Sequence, residues 1–170
     1  MRLYSRLLCL LGLGLIVALS SVSVFAQGPS ADMFANPLIG KPAPDFKLES
    51  VKGGTVPLRD IIKGKKAILF FWATWCPHCR EQLSALNANK AKIDSEGIVV
   101  RLVNVGEDKS KVEKFLKQKG YSFDVLLDVN SEASEIYQVV GSPTLVFIGS
   151  DGVIRDIEFG FPDDYEQILK

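Results

Sequence analysis

Short apolar runs alternate with longer polar stretches along most of the chain, and this alternation predicts strands separated by helices. In the clearest run, Ile68 to Trp72, every residue is apolar, as in a parallel strand buried on both faces. Ile98 to Val105 and Leu145 to Ile148 have a similar character. Because the segments between these runs have helical spacing, we predict an α/β fold in which a parallel sheet has helices on both faces.

Two longer helices are predicted from apolar spacing and from the glycines that follow each segment. They run from Cys76 to about Asp94 and from Lys109 to Lys119. Shorter helices are predicted at Arg59 to Ile62, Glu132 to Gln138 and Asp163 to Lys170.

Two hairpins are expected, one at each end of this pattern. Phe46 to Glu49 and Thr55 to Leu58 are joined through a Gly-Gly pair, and Asp151-Gly152 separates Leu145 to Ile148 from Val153 to Phe159. Paired glycines and Asp-Gly between apolar runs are typical of hairpin turns. Ser122 to Leu127 is a further predicted strand.

The first 26 residues have the pattern of a secretory leader. Arg2 and Arg6 precede an apolar run from Leu7 to Val17, and Val24-Phe25-Ala26 forms a small-residue cleavage site. We expect residues 1–26 to be removed as a signal peptide, with an uncleaved membrane anchor as the alternative. Residues 27–38 then form a tether, and residues 39–170 form one domain.

Charge gives no indication of nucleic-acid binding. The full chain carries 20 basic and 20 acidic residues, and loss of the leader's two arginines makes the mature chain slightly acidic. Cys9 would leave with the leader, so an even number of cysteines, Cys76 and Cys79, remains. An even count suits an oxidising compartment outside the cytoplasm.

The two remaining cysteines lie where the central strand passes into a helix. Cys76 is expected at the helix N-terminus with Pro77 in the first turn, where a missing N–H costs nothing. Free N–H groups and the helix dipole favour a thiolate there. Cys79 lies one turn further on, within disulfide reach, so the pair can cycle between dithiol and disulfide.

Other roles for the cysteines are less consistent with the residues around them. A zinc site needs four ligands, and the only other candidates are His78, which lies between the cysteines, and Cys9 of the leader. Haem attachment needs histidine directly after the second cysteine, where the chain has Arg80. An inert structural disulfide stays open, although so short a loop stabilises little.

The segment Phe71-Trp-Ala-Thr-Trp-Cys-Pro-His-Cys-Arg80 resembles the active site of the thioredoxin superfamily. It is most similar to the exported thiol-disulfide oxidoreductases of the TlpA and ResA type, which have a redoxin or AhpC/TSA-like domain. The resemblance extends from the Ile39-Gly-Lys-Pro-Ala-Pro-Asp-Phe46 segment to the final hairpin. It implies a thioredoxin-like fold, in which a central mixed sheet has helices on both faces, with an N-terminal hairpin and a central helix-strand insertion.

The resemblance also implies roles for particular residues. Cys76 would attack a substrate disulfide and Cys79 would resolve the mixed disulfide, forming the Cys76–Cys79 bond without cofactor or metal. Pro143 would be a cis-proline facing the cysteines, with the backbone of Ser142 exposed to pair with an extended substrate. Independently of the resemblance, Trp75 is expected to belong to the substrate surface rather than to take part in bond making.

Three positions depart from the family pattern. Phe70 stands where thioredoxins have an acidic residue that serves the second thiol, so the proton acceptor of Cys79 is open. Gln82 and Ser84 stand where the TlpA and ResA type usually has glutamate and proline. Glu81 is adjacent to Gln82 but lies about 100° away from it around the helix, so it does not replace the missing glutamate. The Pro77-His78 dipeptide is typical of strongly oxidising DsbA-type proteins.

His78 is therefore predicted to tune the Cys76 thiolate and make the disulfide more oxidising.

The favoured function is disulfide exchange with exported proteins, leaning towards reduction. The resemblance suggests apocytochrome c as one substrate, and a membrane or soluble protein would be the redox partner. A thiol peroxidase is an alternative, although Ala73 and Leu69 occupy positions where peroxiredoxins need threonine and proline. A non-catalytic, redox-sensitive docking or chaperone module is the other.

Overall fold

The computed structural model describes residues 36–170. The predicted leader and most of the predicted tether lie outside the described residues. Leu38, at the end of the predicted tether, packs against a core cluster. Between residues 36 and 170, no helix has the length and apolar character needed to cross a membrane.

One mixed sheet of seven strands organises the described part of the chain. The strands are β1 (Lys47–Ser50), β2 (Thr55–Pro57), β3 (Ala67–Trp72), β4 (Val99–Val105), β5 (Val125–Asp128), β6 (Thr144–Ile148) and β7 (Ile154–Glu158). Their spatial order is β2-β1-β5-β4-β3-β6-β7. β4 is parallel to β3 and to β5, and the other pairs are antiparallel. The predicted mixed sheet is confirmed.

Helices cover both faces of this sheet. They are α1 (Leu58–Ile62), α2 (Pro77–Ser95), α3 (Lys109–Lys119), α4 (Glu132–Ile136) and α5 (Tyr165–Ile168). Side chains of α2 and α3 join one core cluster and those of α1 and α4 join the other. α3 and β5 form the predicted helix-strand insertion between β4 and α4, and β1 and β2 form the predicted N-terminal hairpin.

The central strand β3 explains why its sequence is a continuous apolar run. All six of its residues are buried, and alternate side chains point to opposite faces of a strand. Ile68, Phe70 and Trp72 join one cluster, whereas Ala67, Leu69 and Phe71 join the other. A strand with covered faces on both sides has no position for a polar residue.

Two short helices are shorter than the sequence pattern predicted. α4 ends at Ile136 rather than at Gln138, because Gln138 has a left-handed backbone with φ of 54°. α5 covers only Tyr165–Ile168 of the predicted segment from Asp163 to Lys170. The helices at Cys76 and Lys109 follow the predicted limits within one or two residues.

Candidate active site

The cysteines lie at the carboxyl end of the central strand. β3 ends at Trp72, a short turn follows, and α2 begins at Pro77. Within the turn, the Cys76 N–H donates to the Ala73 carbonyl at 3.2 Å. Cys76 is the N-cap residue of α2 and Pro77 occupies its first turn, as predicted.

Cys76 and Cys79 form a disulfide with their Cα atoms 5.3 Å apart. Both residues are buried, with Cys76 3% and Cys79 0% exposed. The Cys79 N–H donates to Cys76 Sγ at 3.1 Å, so one of the free N–H groups of the helix terminus points at this sulfur. An N–H in this position stabilises a thiolate when the disulfide is reduced.

The Ser142–Pro143 peptide bond is cis, as the resemblance implied. Thr144, the next residue, pairs with Phe71 across β6 and β3, which brings the start of β6 beside the end of β3. The Ser142 carbonyl oxygen therefore lies only 3.6 Å from Cys76 Sγ. Beside it, a cavity of about 350 Å³ is lined by residues that include Gln138, Val140 and Ser142.

His78 does not hydrogen-bond to the Cys76 sulfur. Its side chain is 80% exposed, and its Nδ1 lies 3.3 Å from Glu81 Oε2. The donor that reaches Cys76 Sγ is the backbone N–H of Cys79 instead. An effect of His78 on the thiolate would therefore act through charge alone, and its tuning role stays a prediction.

The two tryptophans near the cysteines have different environments. Trp75 is 66% exposed directly before Cys76, whereas Trp72 is fully buried. The Trp72 ring packs against Phe115, with centroids 5.3 Å apart. Trp75 is thus available to a substrate, and Trp72 belongs to the core.

The positions that depart from the family pattern serve packing and loop attachment. Phe70 is fully buried in the same core cluster as Cys79. Gln82 Oε1 accepts a hydrogen bond from the Phe161 N–H at 2.7 Å, which attaches the loop after β7 to α2. Ser84 is exposed.

Glu107 is a buried acidic residue beside the active-site turn that the sequence analysis missed. It is 5% exposed and follows the end of β4. Burial raises the pKa of Glu107, but hydrogen bonds from Lys111, Thr74 and Asn104 outweigh burial and hold that pKa below its usual range. An acidic residue just after a predicted buried strand was the available signal.

Among residues 36–170, no three His, Cys, Asp or Glu side chains are placed to hold a metal ion. The chemistry that this arrangement supports is thiol-disulfide exchange at a buried sulfur pair.

Comparison with known proteins gives a consistent result. The sequence profile described as the AhpC/TSA family matches residues 39–157. The chain is 35% identical over 136 residues to the thiol-disulfide oxidoreductase ResA of Bacillus subtilis, covering 77% of this chain and 75% of that protein. It is 37% identical over 133 residues to the thiol:disulfide interchange protein DsbE of Yersinia pestis, covering 76% and 69% respectively.

Solved structures agree with the fold. The structure of a putative thiol:disulfide interchange protein DsbE from Chlorobium tepidum is similar with a TM-score of 0.68 and 34% identity. The match covers 76% of this chain and 92% of that one. The thioredoxin-like fold implied by the sequence is thereby confirmed.

Proposed function

The chain belongs to the AhpC/TSA family and, within it, to the thiol-disulfide oxidoreductases of the ResA and DsbE type, and from this premise we propose that it reduces disulfides of exported proteins outside the cytoplasm. The Cys76/Cys79 pair would carry the reaction. The predicted leader and the even number of cysteines in the mature chain support the location.

One observation carries the proposal for Cys76. Its sulfur receives the Cys79 N–H at a helix N-terminus and lies 3.6 Å from the Ser142 carbonyl. The first contact favours a thiolate, which is the attacking species in disulfide exchange. The second places the sulfur beside a backbone edge with which an extended substrate chain can pair.

The reaction proceeds in two exchange steps that together move two electrons. The Cys76 thiolate attacks one sulfur of the substrate disulfide, a mixed disulfide forms, and the first substrate thiolate leaves. Cys79, after losing its proton, attacks Cys76 Sγ and releases the second substrate thiolate. The substrate is reduced to a dithiol, and the Cys76–Cys79 disulfide remains.

A new cycle requires a dithiol that reduces the Cys76–Cys79 disulfide, and this electron source would be a membrane or soluble partner. The substrate would be an exported protein with a disulfide accessible in an extended segment. Trp75 and the cavity beside Ser142 would receive that segment. Apocytochrome c is one candidate suggested by the resemblance.

Turnover with a disulfide-containing model protein tests the proposal. The purified protein without residues 1–26 should accelerate reduction of that substrate by dithiothreitol, and Cys76→Ser should abolish the acceleration. A second assay supplies hydrogen peroxide in place of the substrate, because a thiol peroxidase would consume the peroxide. Acceleration of disulfide reduction that survives Cys76→Ser would contradict the proposal, and so would consumption of peroxide without reduction of the disulfide substrate.

Location needs a separate measurement. Expression of the full chain with a C-terminal tag, followed by fractionation, should recover the protein outside the cytoplasm. Recovery of the uncleaved chain in the cytoplasmic fraction would refute the predicted export.

A further inference from the structure

The end of β4 lies beside the turn that precedes Cys76. β3 and β4 are parallel, and Trp72 is aligned with Asn104. Thr74 follows Trp72 by two residues and Glu107 follows Asn104 by three. The strand register therefore brings Glu107 next to Thr74, although 33 residues separate them along the chain.

The carboxylate of Glu107 receives donors from three different segments. Thr74 donates its backbone N–H at 2.6 Å and its hydroxyl at 2.7 Å. Asn104 Nδ2 donates at 2.8 Å, and Lys111 Nζ of α3 lies 2.7 Å away. Thr74, Asn104 and Glu107 are all buried.

A carboxylate is suited to this position because the surrounding groups are donors. Burying a charged group is strongly unfavourable unless it is paired and hydrogen-bonded, and here several donors share its two oxygens. A glutamine side chain would present one acceptor and an N–H₂ group that opposes the donors. The arrangement thus fixes Thr74 through a charged group.

Fixing Thr74 also restrains Cys76. Only Trp75 separates the two residues, and the Cys76 N–H is bonded to the Ala73 carbonyl within the same turn. The position of this turn sets where Cys76 Sγ lies relative to the Cys79 N–H, now at 3.1 Å. A shift of the turn would weaken the contact that stabilises the thiolate.

We propose that Glu107 is a positioning residue for disulfide exchange, holding the turn before Cys76 through Thr74 so that the sulfur stays aligned with the Cys79 N–H. This inference rests on the proposed function for its biological meaning. Within residues 36–170, the Glu107 carboxylate bonds to Thr74, Asn104 and Lys111 and not to a cysteine sulfur.

The test measures the pH midpoint at which Cys76 forms a thiolate, using ultraviolet absorbance of the thiolate. A Cys79→Ser background leaves Cys76 as the single thiol of the chain without its leader. Glu107→Gln in that background should move the midpoint upwards by about one unit, a tenfold lower thiolate fraction, which corresponds to loss of one good hydrogen bond. Glu113→Gln, which makes the same charge change at an exposed position on α3, is the matched control and should leave the midpoint in place.

Thr74 variants keep the proposal testable if Glu107→Gln fails to fold. Thr74→Val removes the hydroxyl donor and should raise the midpoint, whereas Thr74→Ser retains it and should raise the midpoint less. An unchanged midpoint in folded Glu107→Gln, or equal midpoints in the two Thr74 variants, would overturn the proposal. Because the titration uses no substrate, its result is independent of whether the wild-type protein turns over a disulfide.

Discussion

Replacing Gln82 with glutamate would add one negative charge near the disulfide without removing a contact. Gln82 Oε1 accepts from the Phe161 N–H at 2.7 Å, and a carboxylate oxygen can accept the same hydrogen bond. The substitution therefore isolates the effect of charge at a position where the ResA type usually has an acid. We expect it to lower the reduction potential of the Cys76/Cys79 pair.

The magnitude follows from the position of Gln82 on α2. It lies six residues after Cys76, which corresponds to about 9 Å of helix rise. Unit charges at about 9 Å repel by about 0.5 kcal/mol in water and about 1.8 kcal/mol at an effective dielectric constant of about 20. For this half-buried residue we take about 1 kcal/mol. The repulsion acts on the reduced thiolate and not on the neutral disulfide, so the potential should fall by about 20 mV.

The assay equilibrates oxidised protein with dithiothreitol or glutathione buffers and measures the dithiol fraction at pH 7. The decrease should vanish when the pH is low enough to protonate the introduced carboxyl group. Gln118→Glu, an exposed change on α3, controls for net charge, and Gln82→Leu controls for loss of the Phe161 contact. A potential for Gln82→Glu equal to or above the wild-type value at pH 7 would refute this electrostatic reasoning.

Three further predictions concern tuning and stability. His78→Gln should lower the potential by less than about 20 mV, because the exposed His78 side chain pairs with Glu81 and acts on the thiolate only through charge; a decrease several times larger would show a direct contact with the thiolate. Asp128→Ala should lower the free energy of unfolding by about 3 kcal/mol in urea, because its buried carboxylate accepts both the N–H and the hydroxyl of Ser134; a loss below about 1 kcal/mol would contradict this. Burial, with a contribution from Asp45, raises the pKa of Tyr137, so the free energy of unfolding should fall above about pH 10, where this tyrosine ionises in the unfolded chain but not in the folded one. Tyr137→Phe should show a weaker decrease with pH, and an equal decrease in both proteins would refute the assignment to Tyr137.

The central strand and its helix could be predicted from the sequence because their signals are local. The short continuous apolar run of β3 is typical of a strand buried on both faces, and proline in the first turn of α2 marks where the helix begins. Gly120 ends α3 with φ of 68°, as a glycine after a helical segment indicates. The position of Cys76 at the helix N-terminus followed from these signals together.

The contacts that surround the cysteines could not be predicted in the same way. Glu107 meets Thr74 only because β3 and β4 pair in one register, and Gln82 meets Phe161 across 79 residues. β5 covers Val125–Asp128 rather than the predicted segment from Ser122 to Leu127, because residues 125–128 are those that pair with β4. Such pairings depend on tertiary structure and leave little mark on local patterns.

The orientation of His78 was the exception, because a local signal for it existed. Glu81 lies three residues after His78 and faces it on the helix surface. That spacing favoured a pair between the two side chains over a contact between the imidazole and the sulfur.

Trapping of the mixed disulfide tests most directly whether Cys76 attacks the substrate. Cys79→Ser protein would be incubated with a disulfide-linked peptide and analysed by mass spectrometry after proteolysis. We expect a stable adduct in which one peptide sulfur is joined to Cys76, and no comparable adduct on Cys79 in Cys76→Ser protein. Absence of the Cys76 adduct, or equal adduct formation on Cys79, would contradict the proposed chemistry.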